Sequence, residues 1–180
     1  PAQGLEVILE AAELLRDKKD IQFVLVGDGI ELSKLKKMAN NKELHNVLFL
    51  GRFPQDYMPK LYALVDVLLV HLKNDPLFSI TIPHKTFAYM ASGKPILAAI
   101  AGDAANVVTQ AGAGIACPPS NPEALAETVK KLYLLEKEEL KKMGQNGRIA
   151  VQTIYSREYL VGKIERVLKE VTTKNNYSVT

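Results

Sequence analysis

One cysteine, Cys117, and three scattered histidines are all that these 180 residues offer as soft metal ligands. A single thiol excludes an internal disulfide and any multi-cysteine metal site, and the histidines share no ligand spacing. Cys117 falls in an apolar stretch and reads as a small core residue. Charge of one sign is also lacking: 23 basic against 20 acidic residues leave +3, too little to argue for nucleic acid. The lysines are spread among glutamates, as on solvated helix faces. No apolar run approaches the roughly 20 residues a membrane helix needs, and no signal-peptide pattern precedes the first helix. No Ser-His-Asp order and no paired carboxylates stand out. The expectation is a soluble, cytoplasmic domain with no metal and no nucleic-acid partner.

What is present is an ordinary globular composition, 47% hydrophobic and 24% charged, in a length close to one domain. Helical and strand patterns alternate. Leu5, Ile8, Leu9, Ala12 and Leu15 share one face of a helix from Leu5 to about Lys19. Strand Ile21–Val26 follows, apolar throughout as strands buried on both faces are. A helix around 32–39, strand Val47–Leu50, a helix near Asp56–Leu64 and strand Val67–Leu72 continue the series. After helix Pro83–Ser92 come strand Ile96–Ile100, a helix near Ala104–Ala111 and strand Gly114–Cys117. Asn121 is placed to cap the next helix, with Pro122 at its first position. Helices at about Lys137–Tyr155 and Ser156–Val171 complete a domain over 1–171, and 172–180 reads as a flexible tail. The pattern predicts an α/β, doubly wound parallel sheet of five strands. It opens on a helix, which implies a first strand ahead of Pro1.

The segment from Asp66 to Ile100 carries the strongest functional signal. A branched apolar strand is followed by a polar loop, Lys73 to Thr81. A helix then opens at Pro83 and closes before Gly93, the punctuation of a helix start and stop, with Thr81 as a candidate cap. Strand–loop–helix–strand puts a helix N-terminus at the carboxyl edge of a parallel sheet. Free amides and the positive end of the helix dipole there suit a phosphate. Gly27-Asp28-Gly29 looks like the start of a dinucleotide fingerprint, but no third glycine follows at the right spacing. A tight turn is the better reading.

Several fragments, in this order and spacing, resemble one family. They are QGLEVILEAAELL (Gln3 to Leu15), FVLVGDG, NVLFLGRFP, DPLFSITIPHK, YMASGKPILAAIAGDAANVV and AGAGIACPPSNPEALAE. Together they resemble the C-terminal, donor-binding domain of GT-B retaining glycosyltransferases of the group-1 class (family 4), in particular bacterial O-antigen and capsule transferases of fucosamine-type sugars. The resemblance implies a Rossmann-like domain whose first strand lies centrally, between the strands at Ile21–Val26 and Val67–Leu72. It also implies an N-terminal acceptor domain absent from this chain, so that the chain alone would be inactive. The implied function is transfer of a hexosyl-type sugar from a nucleotide-diphosphate donor, UDP-linked, to a lipid-linked or oligosaccharide acceptor in surface polysaccharide synthesis. The location would be cytoplasmic, with peripheral association at the inner membrane face. No cofactor beyond the substrate nucleotide-sugar is implied, and the Asp-x-Asp metal motif of the other large glycosyltransferase fold is missing.

Carried over position by position, the resemblance places the donor diphosphate at the amides of Ile82, His84 and Lys85, with Ser79 and Thr81 hydroxyls close by. Lys85 adds a positive charge, and His84 a secondary contact. The nucleotide base and ribose fall to Gly51, Arg52, Phe53 and the position of Ala88. His71, Lys73, Gly102 and Asp103 border the donor sugar. Two family glutamates are replaced here by Ile80 and Ala88, and a basic residue ahead of the first helix by Gln3. A non-catalytic nucleotide-sugar-binding module and a nucleotide-sugar 2-epimerase are the alternatives. The helix at Pro83 lacks the acidic residues the epimerase needs.

Overall fold

The computed structural model describes residues 3–175. Five parallel strands and nine helices alternate among them: α1 (Glu6–Leu14), β1 (Phe23–Val26), α2 (Leu32–Asn41), β2 (Val47–Gly51), α3 (Met58–Leu64), β3 (Leu68–His71), α4 (Pro76–Ser79), α5 (His84–Ser92), β4 (Ile96–Ala99), α6 (Asp103–Gln110), β5 (Gly114–Cys117), α7 (Pro122–Tyr133), α8 (Lys137–Gln152) and α9 (Arg157–Asn175). All strand pairs are parallel, with β1 on β2, and β3 on β4 on β5. The fold is the expected α/β, Rossmann-like one. β1 and β3 are not bonded to one another, so the strands form a pair and a triplet.

Two layers of helix enclose the strands. On one face α1 and α7 bury Ile8, Ala11, Ala12, Leu15, Leu125 and Leu132 against Phe23, Leu97 and Ala99. Beside them α2 adds Leu35 and Ala39 around Leu9. On the other face α5, α6 and α8 bury Met90, Val107, Val108 and Ala150 against Val70, Ile96 and Ala98. Leu9, Leu15, Met90, Ile96 and Leu125 are fully enclosed, each contributing about 1.5–3 kcal/mol by leaving water. Cys117 lies in this core, and burial pushes its thiol pKa up. No helix among the described residues is long and apolar enough to cross a membrane.

Beyond α1 ending at Leu14 rather than near Lys19, four details differ from the sequence reading. β1 is covered on one face only: Val24 and Val26, with Leu48 and Leu50 of β2, stay 36–40% exposed. The second helical layer stops at β3, so an apolar sequence did not mean two covered faces. Second, Pro83 is not the first helical residue of α5. Its ψ of 137° is extended and it serves as the N-cap. Third, the stretch expected as plain loop contains the one-turn α4, started by Asp75, whose Oδ1 accepts the amide of Leu77 at 2.9 Å. Asp-Pro at 75–76 is the signal that identifies it. Fourth, α9 continues to Asn175, past the expected domain end at Val171. The remainder of the expected tail, 176–180, lies outside the described residues.

Candidate functional site

Because β3, β4 and β5 run the same way, they deliver their following loops to one edge. At that edge α5 presents its N-terminus. Helix geometry leaves the amides of His84 and Lys85 without intrahelical partners, and no side chain caps this end. Thr81, the candidate cap, is occupied elsewhere: its Oγ1 donates to the Leu77 carbonyl at 2.7 Å. Ser79 likewise donates to the Pro76 carbonyl at 2.7 Å. Both hydroxyls therefore stabilise α4 and keep only their acceptor capacity. No acidic residue occupies the first turn of α5, so the helix itself sets no negative charge against an anion there. Ile82 lies just ahead of the N-cap and is 37% exposed. His84 is exposed at the first helical position.

The far end of α5 is tied down. Arg148 of α8 donates from Nη2 to the Ser92 carbonyl at 2.7 Å and from Nε to the Ala91 carbonyl at 3.2 Å. A cation on the last carbonyls satisfies them and complements the dipole. Along its length, Tyr89 meets Tyr62 of α3 edge-on at 5.2 Å, and Phe87 meets Tyr155 at 5.3 Å. Burial pushes the Tyr89 phenol up to about 12. The helix is thus held from three sides, with its N-terminus left open. Sequence reasoning missed Arg148, since 55 residues separate it from Gly93 and no local pattern joins them.

Lys85 is half-buried, and desolvation holds its ammonium below the usual lysine pKa of 10.5. His71 ends β3 at 2% exposure, and its Nδ1 bonds the carbonyl of Gln3. Its pKa lies below 6.5, chiefly through burial; the Gln3 bond opposes the shift and the Lys85 charge adds to it. Gly4 packs onto the same corner. A Cβ there would stand 2.9 Å from Lys73 Cγ and 3.5 Å from His71 Cε1. Gln3, Gly4, His71, Lys73 and Lys85 therefore form one cluster. Thr86, fully buried in the first turn of α5, has no partner for its Oγ1 among the described residues; the sequence reading passed over it. Ala88, one turn beyond Lys85, is exposed.

Gly102 precedes α6 with φ of 69°, against the backbone of Ser79. A Cβ at Gly102 would stand 1.9 Å from the Ser79 carbonyl oxygen, so only glycine allows the 73–81 loop to settle on the start of α6. Asp103 is exposed in the first turn of α6. The amide of Asn74 donates to Ser120 Oγ at 3.0 Å, fastening the same loop to the one after β5.

The third group sits at β1 and β2. Gly27 N–H donates to the Gly51 carbonyl at 2.7 Å. Arg52 faces Asp28 at 3.8 Å, an exposed pair worth at most about 1 kcal/mol. Phe53 stacks on Tyr57 at 5.5 Å. Arg52, Phe53, Pro54, Gln55 and Met58 line an open concavity of about 530 Å³. Among the described residues no three His, Cys, Asp or Glu side chains are placed to share a metal ion.

Comparison with known proteins follows the same lines. The family model described as "Glycosyl transferases group 1" matches residues 1–150. The chain is 32% identical over 160 residues to a Pseudomonas aeruginosa protein described as "Probable glycosyltransferase WbjE", covering 88% of this chain and 38% of that one. It is 31% identical over 137 residues to an Escherichia coli protein described as "Putative colanic acid biosynthesis glycosyl transferase WcaI", covering 75% of this chain and 33% of that one. Among solved structures, Anabaena HepE in complex with UDP and glucose superposes with a TM-score of 0.71 at 22% identity, covering 96% of this chain and 45% of that one. The chain thus spans less than half the length of these proteins.

Proposed function

The chain belongs to the glycosyl transferases of group 1, and from that membership we propose that it binds the nucleotide-diphosphate sugar, UDP-linked, for a retaining hexosyl-type transferase. The observation that carries this reading is the uncapped N-terminus of α5 beside Lys85, at the carboxyl edge of parallel strands. The diphosphate sits on the amides of Ile82, His84 and Lys85. The base and ribose lie toward Gly51, Arg52 and Phe53, and the sugar toward His71, Lys73, Gly102 and Asp103. As the glycosidic bond breaks, negative charge grows on the departing diphosphate. Donors fixed at a helix end meet that charge without reorganising. The acceptor is a lipid-linked or oligosaccharide chain of a surface polysaccharide, supported by the relative named for colanic acid biosynthesis. Titrating UDP into isotope-labelled full-length protein tests the placement. The amide shifts of Ile82, His84 and Lys85 are expected to move most, and shifts confined to another surface would overturn it.

Ala88 favours a second reading, that of a non-catalytic nucleotide-sugar-binding module. An alanine on the exposed side of α5 cannot accept a ribose hydrogen bond. Ala88→Glu places a carboxylate there, and a hydrogen bond to a charged group contributes about 1.5–3 kcal/mol, or about tenfold or more in affinity. Calorimetry on the full-length protein is expected to show that gain for UDP. Unchanged or weaker binding would remove Ala88 from the ribose site.

A further inference from the structure

Two buried polar atoms without a hydrogen-bond partner among the described residues, His71 Nε2 and Thr86 Oγ1, lie at the end of β3 and the start of α5. Native interiors leave few such atoms unsatisfied, so each asks for a reason. For His71 the bonding supplies one. Its Nδ1 faces the carbonyl oxygen of Gln3, and a carbonyl only accepts, so Nδ1 carries the hydrogen. In the neutral ring Nε2 is then left with its lone pair and nothing to receive. Resting on the donor-site reading above, we propose that His71 takes up a proton at Nε2 when a diphosphate seats at the N-terminus of α5, so that donor binding is proton-coupled.

The step is simple in its balance. One proton from solvent adds to the Nε2 lone pair, no other bond changes, and the ring gains one positive charge. Burial, and after it the charges around His71, explain why this waits for the ligand. From α5 comes Lys85, whose charge already acts on the ring. From the loop after β3 comes Lys73, packed with His71 around Gly4. Glu6 of α1 is within electrostatic reach of Lys73, but is ion-paired with Lys34 of α2 at 2.8 Å. β4, hydrogen-bonded alongside, is Ile-Leu-Ala-Ala and brings no charge. Burial first, and the net positive charge of the corner after it, hold the imidazole pKa below its ordinary value. A diphosphate reverses that balance. Opposite charge within about 4–6 Å favours the ionised form even without touching it. The imidazolium then stands beside Lys85 as the leaving group gains charge.

The sign follows from linkage. Bound ligand raises the His71 pKa, so the gain in affinity is full below the free-state pKa and is lost as pH rises through the bound-state pKa. Each unit of that rise is worth tenfold in affinity between the two limits. UDP-glucose is the suitable probe, because a diphosphate esterified at both ends does not itself titrate near neutrality. Calorimetry of UDP-glucose with the full-length protein, in buffers of different ionisation enthalpy, is expected to give a binding enthalpy that tracks the buffer. The slope corresponds to proton uptake. Affinity is expected to weaken as pH rises from the free-state pKa of His71, which lies below 6.5, through the bound-state one. His71→Asn keeps an N–H for the Gln3 carbonyl but removes the titrating nitrogen, and brings the slope to zero. Independently of any variant, the imidazole nitrogen shifts of His71 are expected to change from acceptor to protonated at Nε2 on saturation. Binding with a buffer-independent enthalpy, or an unchanged Nε2, overturns the proton coupling and leaves the diphosphate site standing. No binding of UDP-glucose at all overturns the donor-site reading, and the coupling with it.

Discussion

Gly144→Ala is expected to lower the melting temperature of the full-length protein by about 4–8 °C, close to 2 kcal/mol for a domain of this size. Gly144 lies in the middle of α8, where alanine would normally improve a helix by about 1 kcal/mol. Here the backbone of α8 rests directly on the end of α5. A Cβ at Gly144 would stand 1.9 Å from the Gly93 carbonyl oxygen. Backbone cannot rotate aside as a side-chain tip can, so α8 must back away from α5. That retreat loosens Met90, Ala113 and Ala150 in the core and draws Arg148 from the Ala91 and Ser92 carbonyls. Gly162→Ala is the matched control. Nothing lies within 4 Å of a Cβ there, and α9 is expected to gain the helix-propensity benefit, about 0.5–1 kcal/mol. Differential scanning calorimetry of the two variants checks both signs. A stabilised Gly144→Ala protein would mean that α8 does not approach α5 as described.

Lys85→Met is expected to weaken UDP binding by roughly ten- to a hundredfold, the value of a hydrogen bond to a charged group. The empty protein is expected to become no less stable. Methionine preserves the apolar stem and removes an ammonium that burial disfavours. The pH sign agrees. A lysine whose folded pKa lies below 10.5 costs stability fully at pH values under that folded pKa, and the cost is relieved as pH rises through it. Wild-type stability is therefore expected to climb toward that of Lys85→Met in alkaline buffer. Calorimetric titration with UDP and parallel thermal melts read the two effects separately. Lost affinity with unchanged or higher melting temperature identifies a binding lysine. Lost affinity with a matching loss of stability would make Lys85 structural.

The elements that were legible before the structure share one property: their signals are local. Asn121 and Pro122 start α7, with the Asn121 side chain accepting the Ala124 amide at 2.8 Å. Gly93 ends α5 at φ 74°. The parallel arrangement followed from strand and helix patterns alternating at short range. Pro83 shows where local reading falls short. Its fixed φ suits either the N-cap or the first helical position, and only ψ, at 137°, separates them. In β1 the period was read correctly and the covering layer was not. An apolar residue such as Val24 carries no record of whether a helix will pack over it.

The sequence by itself determined an α/β chain of parallel strands, a helix N-terminus opening on their carboxyl edge, and a lysine in its first turn. Hydrophobic periodicity, proline and glycine are chemical facts that act over a few residues, and they are complete before folding. Only the tertiary structure decided that the Gln3 carbonyl meets His71 across 68 residues, that the Ser79 backbone leaves room at Gly102 for nothing larger than hydrogen, and that Arg148 closes the far end of α5. These contacts join segments far apart in the chain. Which atoms pair, and which, like His71 Nε2, stay buried without a partner among the described residues, depends on how layers of helix settle on the strands, and no local spacing encodes that.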